Sequence, residues 1–287
     1  MTPFAALVLA GDRGPGDAVA GAAGTPCKAL APVAGVPMVL RVLDALARSD
    51  GVGRVVLCGP TRDAVMGSAA LQGRIRPGVV DWVPPGTGPS ASAMAGLGLI
   101  GGADPVLITT ADHALLGPAL VDDFLRLAAA SGGDAVVGLV RHERVRAAFP
   151  DTRRTVTRFR DGGFCGTNLF AFPTPAGRRV VGYWQGVESR RKRPWRLIAA
   201  ALGPLALMQY GLGWLSVERA MARLSRHLEV RVRAVELTAP EAGLDVDTVA
   251  DLHQVEATLA RRGVAPAGGH DASPQQISDE AVRARGT

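Results

Sequence analysis

Short apolar runs bounded by glycine and proline alternate with stretches of helical periodicity along most of this chain. Phe4 to Leu9 is apolar throughout, the pattern of a strand buried on both faces. Arg54–Cys58, Val79–Val83, Pro105–Thr110 and Asp134–Val140 read as four further strands. Helices are expected after Pro37, where proline suits a first turn, and after Thr61. This alternation predicts a doubly wound α/β fold, a parallel core with an antiparallel supplement. A different pattern begins at the basic run Arg190-Arg191-Lys192-Arg193-Pro194-Trp195-Arg196, which leads into an uncharged apolar stretch from Leu197 to Leu215. Its length approaches the roughly 20 residues of a membrane span. Gly203-Pro204, Gly211 and Gly213 interrupt it, however, so two short apolar helices are expected, packed on the core or a partner subunit or dipping into an anionic membrane surface. From residue 264 onward Ala, Gly, Pro, Ser and Gln dominate. The expected organisation is a unit over residues 1–262 with a helical insertion at about 190–227, then a disordered tail over 263–287.

Composition narrows the class. With 287 residues, 47% of them hydrophobic and 20% charged, the chain can bury one substantial core. The formal charge of +6 suits phosphorylated ligands or anionic surfaces without choosing between them. Nucleic acid is disfavoured by the 5% aromatic content and by the lack of a recognisable binding motif. Cys27, Cys58 and Cys165 are odd in number and widely spaced, with no metal-ligand pattern. A reducing cytoplasm is the expected compartment. Met1-Thr2-Pro3 carries no basic region ahead of the first apolar run, so no secretory signal is expected there.

Candidate chemistry starts where the first strand ends. Leu9-Ala10-Gly11-Asp12-Arg13-Gly14-Pro15-Gly16 leaves little side-chain bulk, which lets backbone amides approach a ligand closely. Arg13 and, further on, Lys28 add the positive charge that suits phosphate oxygens. The glycine spacing fits neither the dinucleotide fingerprint nor the P-loop. A second constellation, Thr109-Thr110-Ala111-Asp112-His113, puts an acid at the carboxyl edge of the sheet, where open α/β folds bind ligands. A lone acid there also fits a helix cap. A third, Gly243-Leu244-Asp245-Val246-Asp247, puts two carboxylates on one side of an extended segment; Asp247 is equally suited to capping the final helix.

Taken in order, Leu9-Ala10-Gly11, Arg13, Lys28, Gly35-Val36-Pro37-Met38, Asp112 and Asp245-Val246-Asp247 resemble the nucleotidyltransferase family typified by molybdenum-cofactor guanylyltransferase and the sugar-phosphate nucleotidyltransferases. Asp12 stands where that family has its second glycine, and Cys27 interrupts its usual Pro-Lys pair. The resemblance implies a glycosyltransferase-A-like (Rossmann-like) three-layer sandwich with a mostly parallel mixed sheet. It implies transfer of a nucleoside monophosphate from a nucleoside triphosphate to a phosphorylated small-molecule or lipid-linked acceptor, with release of pyrophosphate. Residues 9–13 with Lys28, Gly88, Ser90, Ser92 and Asp112 would then bind the nucleotide, Lys28, Arg13 and Asp112 carrying the catalysis. Asp112 and Asp247, with Asp245 as the spare acid, would hold Mg²⁺ or Mn²⁺. Gly166-Thr167-Asn168-Leu169-Phe170 resembles the family's acceptor-binding strand, and Arg153 and Arg154 are the arginines suited to an acceptor phosphate. Ser90 could equally be a helix cap, and His113 reads as a local structural residue. A nucleotide-sugar glycosyltransferase of related fold and a non-catalytic adaptor at a membrane stand as alternatives. A homodimer and a peripheral membrane contact remain open.

Overall fold

The computed structural model describes residues 2–12, 16–188 and 203–263. β1 (Phe4–Leu9) is buried at every position, with Phe4, Ala6 and Val8 in one core layer and Ala5, Leu7 and Leu9 in the other. A strand covered on both faces needs no polar alternation, which is why this run is continuously apolar. Asp17 caps α1 (Ala18–Ala23) by accepting from the N–H groups of Val19 and Ala20 at 2.9 and 3.0 Å. A one-turn 3-10 segment, Lys28–Leu30, then leads into a small antiparallel ribbon, β2 (Pro32–Val33) and β3 (Val36–Pro37). α2 (Met38–Ala47) follows with Pro37 as its N-cap, one position earlier than the first-turn place expected for it.

β4 (Val52–Cys58), α3 (Arg62–Met66), α4 (Ala69–Gln72) and β5 (Val80–Val83) continue the alternation. They are followed by α5 (Pro89–Leu97), β6 (Val106–Thr110), α6 (Pro118–Ala130) and β7 (Ala135–Arg141). Next come α7 (His142–Ala148), the hairpin β8 (Thr157–Phe159) and β9 (Gly162–Phe172), then α8 (Arg179–Glu188). α9 (Pro204–Gly211), α10 (Val217–Leu228), β10 (Val232–Leu237) and α11 (Val249–Arg261) close the described chain. Thr61 caps α3 as its position suggests, and α9 is one of the short apolar helices expected in the insertion. The basic run, the start of the apolar stretch and the tail from residue 264 lie outside the described residues.

The large sheet runs β5-β4-β1-β6-β9-β7-β10, with β8 paired to β9. β9 is antiparallel to both neighbours and the other pairings along that path are parallel. The antiparallel supplement is therefore interior, wedged between β6 and β7. α2, α6 and α11 cover one face; α5, α8 and α10 cover the other, giving the expected three layers. α5 lies hard against the sheet, because a Cβ at Gly96 would collide with Leu7 and come within 2.6 Å of Cys58 Sγ. That close seat carries the N-terminus of α5 to the carboxyl edge of β1 and β4. β9 carries a bulge against β7: Val137 faces Phe170 but Leu139 faces Gly166. Asn168 sits inside it with φ of 51°, a left-handed conformation that asparagine tolerates.

Candidate functional site

The carboxyl ends of β1 and β6, the middle of the antiparallel β9 and the loop after β5 open onto one cavity of about 540 Å³. Its centre is an ion-pair network. Lys28 Nζ donates to Asp112 Oδ2 at 2.7 Å and to Asp247 Oδ1 at 2.9 Å. Asp112 follows β6 directly; the Ala111 N–H bonds Leu9 O at 2.9 Å, and Thr110 Oγ1 donates to Asp112 Oδ1 at 2.5 Å. The Val246 N–H donates to Asp112 O at 3.0 Å, which stitches the C-terminal acidic segment to the end of β6. Val246 is wholly buried, and alternation about it leaves Asp245 and Asp247 on the opposite side. Oxygens of Asp112, Asp245 and Asp247 accordingly lie within 4.8 Å of one another.

Asp245 is held from two sides. Arg154 donates to its Oδ1 and to its backbone carbonyl, and Asn168 Nδ2 donates to Oδ2 at 2.7 Å. Arg154 also reaches Asp251 Oδ1 at 3.0 Å, and Asp251 in turn forms a capping box with Thr248 at the start of α11. Burial pushes the Asp245 carboxyl above its usual range; Arg154 opposes that, and the neighbouring charges of Asp112 and Asp247 add to it. Burial alone would lower the Lys28 ammonium, but the charge and hydrogen bond of Asp112, joined by Asp247, outweigh it and hold Lys28 above its ordinary value. Lys28 is therefore cationic throughout the neutral range.

The loop after β5 forms one wall. The Gly86 N–H donates to Ser92 Oγ at 2.9 Å, and a Cβ at Gly86 would stand 2.7 Å from Ser92 N, so only glycine fits this approach to α5. Gly88 caps α5 and Pro89 opens it, at the rim of the cavity. Helix N-termini expose amides without intrahelical partners and so suit anions and polar edges. The opposite wall carries Asn168, Phe170 and Trp184 beside Ile108.

Among the residues singled out from sequence, Leu9, Gly11, Asp12, Lys28, Gly88, Ser92, Asp112, Asn168, Asp245 and Asp247 line this cavity together. Ala10 is buried behind it, and Arg13 lies outside the described residues. Ser90 is neither a cap nor part of the lining: Gly88 is the cap and Ser90 is buried. Thr167 is turned away, donating to Gly138 O at 2.9 Å, while Gly166 and Arg153 are exposed beyond the lining. Arg154, expected to grip an acceptor phosphate, is instead enclosed by Asp245 and Asp251 with its side chain 8% exposed. Asp247 does not cap the final helix; Thr248 does. His113 is buried, its Nε2 bonded to Glu241 O at 3.2 Å, and burial lowers its pKa, which agrees with a structural role. Phe170, Trp184 and Asp17 also line the cavity; sequence reading assigned no role to Phe170 itself and passed over the other two. Phe170 closes the string that carries the acceptor-strand resemblance, whereas nothing local marks Trp184, which reaches the site only because α8 packs beside α5.

Five carboxylates (Asp12, Asp17, Asp112, Asp245, Asp247) and a single ammonium line the cavity among the described residues. A polyphosphate would need added positive charge here, and converging carboxylate oxygens suit a hard divalent cation. The donor set fits Mg²⁺ or Mn²⁺: Asp112 and Asp247 meet at the Lys28 ammonium, while Asp245 is tied back to Arg154 and Asn168.

Comparison with known proteins places these features in context. Residues 6–229 match the family model described as the MobA-like NTP transferase domain, a match that ends before Asp245 and Asp247. A structure from Thermus thermophilus described as a hypothetical transferase is 33% identical with a TM-score of 0.70, over 88% of this chain and 100% of that one. Two more distant structures share the fold at a TM-score of 0.53. One is 4-diphosphocytidyl-2C-methyl-D-erythritol synthase from Anaerococcus prevotii, 16% identical over 90% of this chain and 99% of that one. The other is CMP:2-keto-3-deoxy-manno-octonic acid synthetase complexed with CTP, 15% identical over 91% of this chain and 98% of that one. No curated protein matches the chain.

Proposed function

The chain belongs to the MobA-like NTP transferase family, and on that premise we propose that it transfers a nucleoside monophosphate from a nucleoside triphosphate to a phosphorylated acceptor. An acceptor phosphate oxygen attacks the α-phosphorus in line, a P–O bond forms there, and the bond to the β-phosphate bridge breaks. Pyrophosphate leaves with the electron pair. The observation that carries this reading is Lys28 bound to Asp112 and Asp247 at the meeting point of the two cavity walls.

The glycine-rich loops at Gly11 and Gly86–Gly88, with the first turn of α5, receive the nucleotide through backbone amides. Lys28 brings a fixed positive charge to the phosphates and stabilises charge that develops on them. Asp112 and Asp247 would hold Mg²⁺ or Mn²⁺, which when bound supplies charge neutralisation and alignment of the phosphates. Arg154 and Asn168 keep Asp245 oriented and so support the acidic segment. The acceptor side, with Ile108, Phe170 and Trp184, favours an acceptor that carries an apolar or ring face beside its phosphate.

The test is pyrophosphate release measured across the four common nucleoside triphosphates with a panel of phosphorylated sugars, polyols and lipid phosphates. Release that requires both substrates and a divalent cation supports the reading. Transfer from a nucleotide sugar without pyrophosphate, or no turnover with any pair, would overturn it.

A further inference from the structure

α9 is apolar on two faces. Inward, Ala206 is wholly buried and Tyr210 packs edge-on against Phe159 at 6.1 Å between ring centroids. Outward, Leu205, Met208 and Leu212 share a second face at i, i+3, i+7 spacing and are 54%, 53% and 52% exposed. Trp214, just beyond the helix, is 59% exposed. Four large apolar side chains on one short stretch exceed the scattered exposure normal for a soluble surface.

The surroundings of this face are basic. The Arg160 N–H donates to Leu215 O at 2.9 Å, which ties the β8–β9 hairpin to the end of α9. Arg158 and Arg160 flank the packed Phe159, are exposed, and pair with no acid among the described residues. The nearby acid Asp161 is engaged in accepting from Val217 N–H at 3.1 Å at the start of α10. In sequence, the run from Arg190 to Arg196 supplies five more basic residues upstream of α9.

We propose that this face docks the protein onto an anionic lipid surface, with α9 lying in the headgroup plane and Arg158 and Arg160 meeting the lipid phosphates. Apolar side chains beside unpaired cations match an interfacial anchor. Trp214 suits the interface because its ring is apolar and its N–H polar. No helix among the described residues is long and apolar enough to cross a membrane, and α9, with eight residues, is suited to lying along a surface. A second copy of the chain is the poorer occupant, since a two-fold contact through this face would bring two patches of the same positive sign together. None of these residues lines the cavity, so the proposal stands or falls apart from nucleotidyl transfer.

Flotation of the full chain with vesicles of phosphatidylcholine alone, or of phosphatidylcholine with phosphatidylglycerol, tests it. Flotation with the anionic vesicles at low salt, weakened by added salt, is expected. A Leu205→Ser, Leu212→Ser double variant should partition roughly tenfold less, while keeping its circular dichroism and nucleotide binding. Arg158→Glu with Arg160→Glu should lower flotation without touching α9. Wild-type protein that never floats, variants that float equally well, or a dimer in sedimentation that the Leu205 and Leu212 substitutions dissolve would each overturn the proposal.

Discussion

Lys28 Nζ lies 2.7 Å from Asp112 Oδ2, joining a turn near the N-terminus to the end of the fourth strand of the parallel series, 84 residues away. The same ammonium meets Asp247 at 2.9 Å, so one cation serves two carboxylates that a divalent metal would also claim. Its substitution should therefore affect chemistry more than binding. Lys28→Ala is expected to lower kcat for pyrophosphate release by roughly 100-fold or more, with Lys28→Arg recovering only part of it. Steady-state kinetics on both variants check this, and a kcat within threefold of wild type for Lys28→Ala would refute the assignment.

The acids should separate by role in a metal titration. Asp112→Asn and Asp247→Asn are expected to abolish Mg²⁺-dependent thermal stabilisation and activity, and chelation should do the same to the wild type. Asp245→Asn should weaken the metal response without abolishing it, because Asp245 is tied back to the Arg154 guanidinium and Asn168, whereas Asp112 and Asp247 converge on the Lys28 position. Calorimetric binding of Mn²⁺ alone, without substrate, gives the same comparison independently of turnover.

Arg154 is enclosed by Asp245 and Asp251, so removing it leaves two carboxylates short of their partner. Arg154→Ala should cost about 3–5 kcal/mol in urea unfolding. Lysine should restore little, since a single ammonium cannot reproduce the forked contacts to both acids. An Arg154→Ala protein as stable as wild type but defective only in acceptor KM would mean that the side chain serves the acceptor after all.

The apolar wall makes a separable prediction. Phe170→Ala and Trp184→Ala should raise KM for the acceptor about tenfold and leave KM for the nucleotide within twofold. Equal effects on both substrates would assign these rings to the nucleotide instead.

Away from the site, the hydrogen bonds and charge of Arg231, helped by Thr174, hold the Asp134 carboxyl far below its usual range although burial opposes them. The sign follows: a depressed native pKa contributes stability above the unfolded pKa of about 3.9, and that stability is lost as pH falls through the native value. Asp134→Asn should thus be less stable than wild type at pH 6, with the gap closing progressively below about pH 4. Thermal unfolding across that range checks it; a gap that stays constant with pH would be a packing effect.

The elements that were legible in advance are those specified by neighbouring residues. Phe4–Leu9 declares a buried strand because burial on both faces demands an unbroken apolar run. Gly11, Lys28 and Asp112 could be picked out as chemistry because a glycine-rich basic loop and an acid after a strand stand out against an apolar background, and Asp247 followed from the order of motifs in the family resemblance. The misplaced roles share one cause. Arg154 and Arg153 are chemically identical neighbours, and only the position of Asp245, 91 residues from Arg154, makes one a buried clamp while the other is exposed.

By itself, the sequence determined the α/β alternation, the anion-suited loop and the acids available for a metal, since local pattern and side-chain chemistry are short-range properties. Only the tertiary structure decided that β9 is interior and antiparallel, that its bulge turns Asn168 toward Asp245, and that Trp184 reaches the cavity. It likewise decided that Lys28 stands between Asp112 and Asp247. Strand order and helix seating are set by burying both faces of the whole sheet at once, a global condition that no window of neighbouring residues contains.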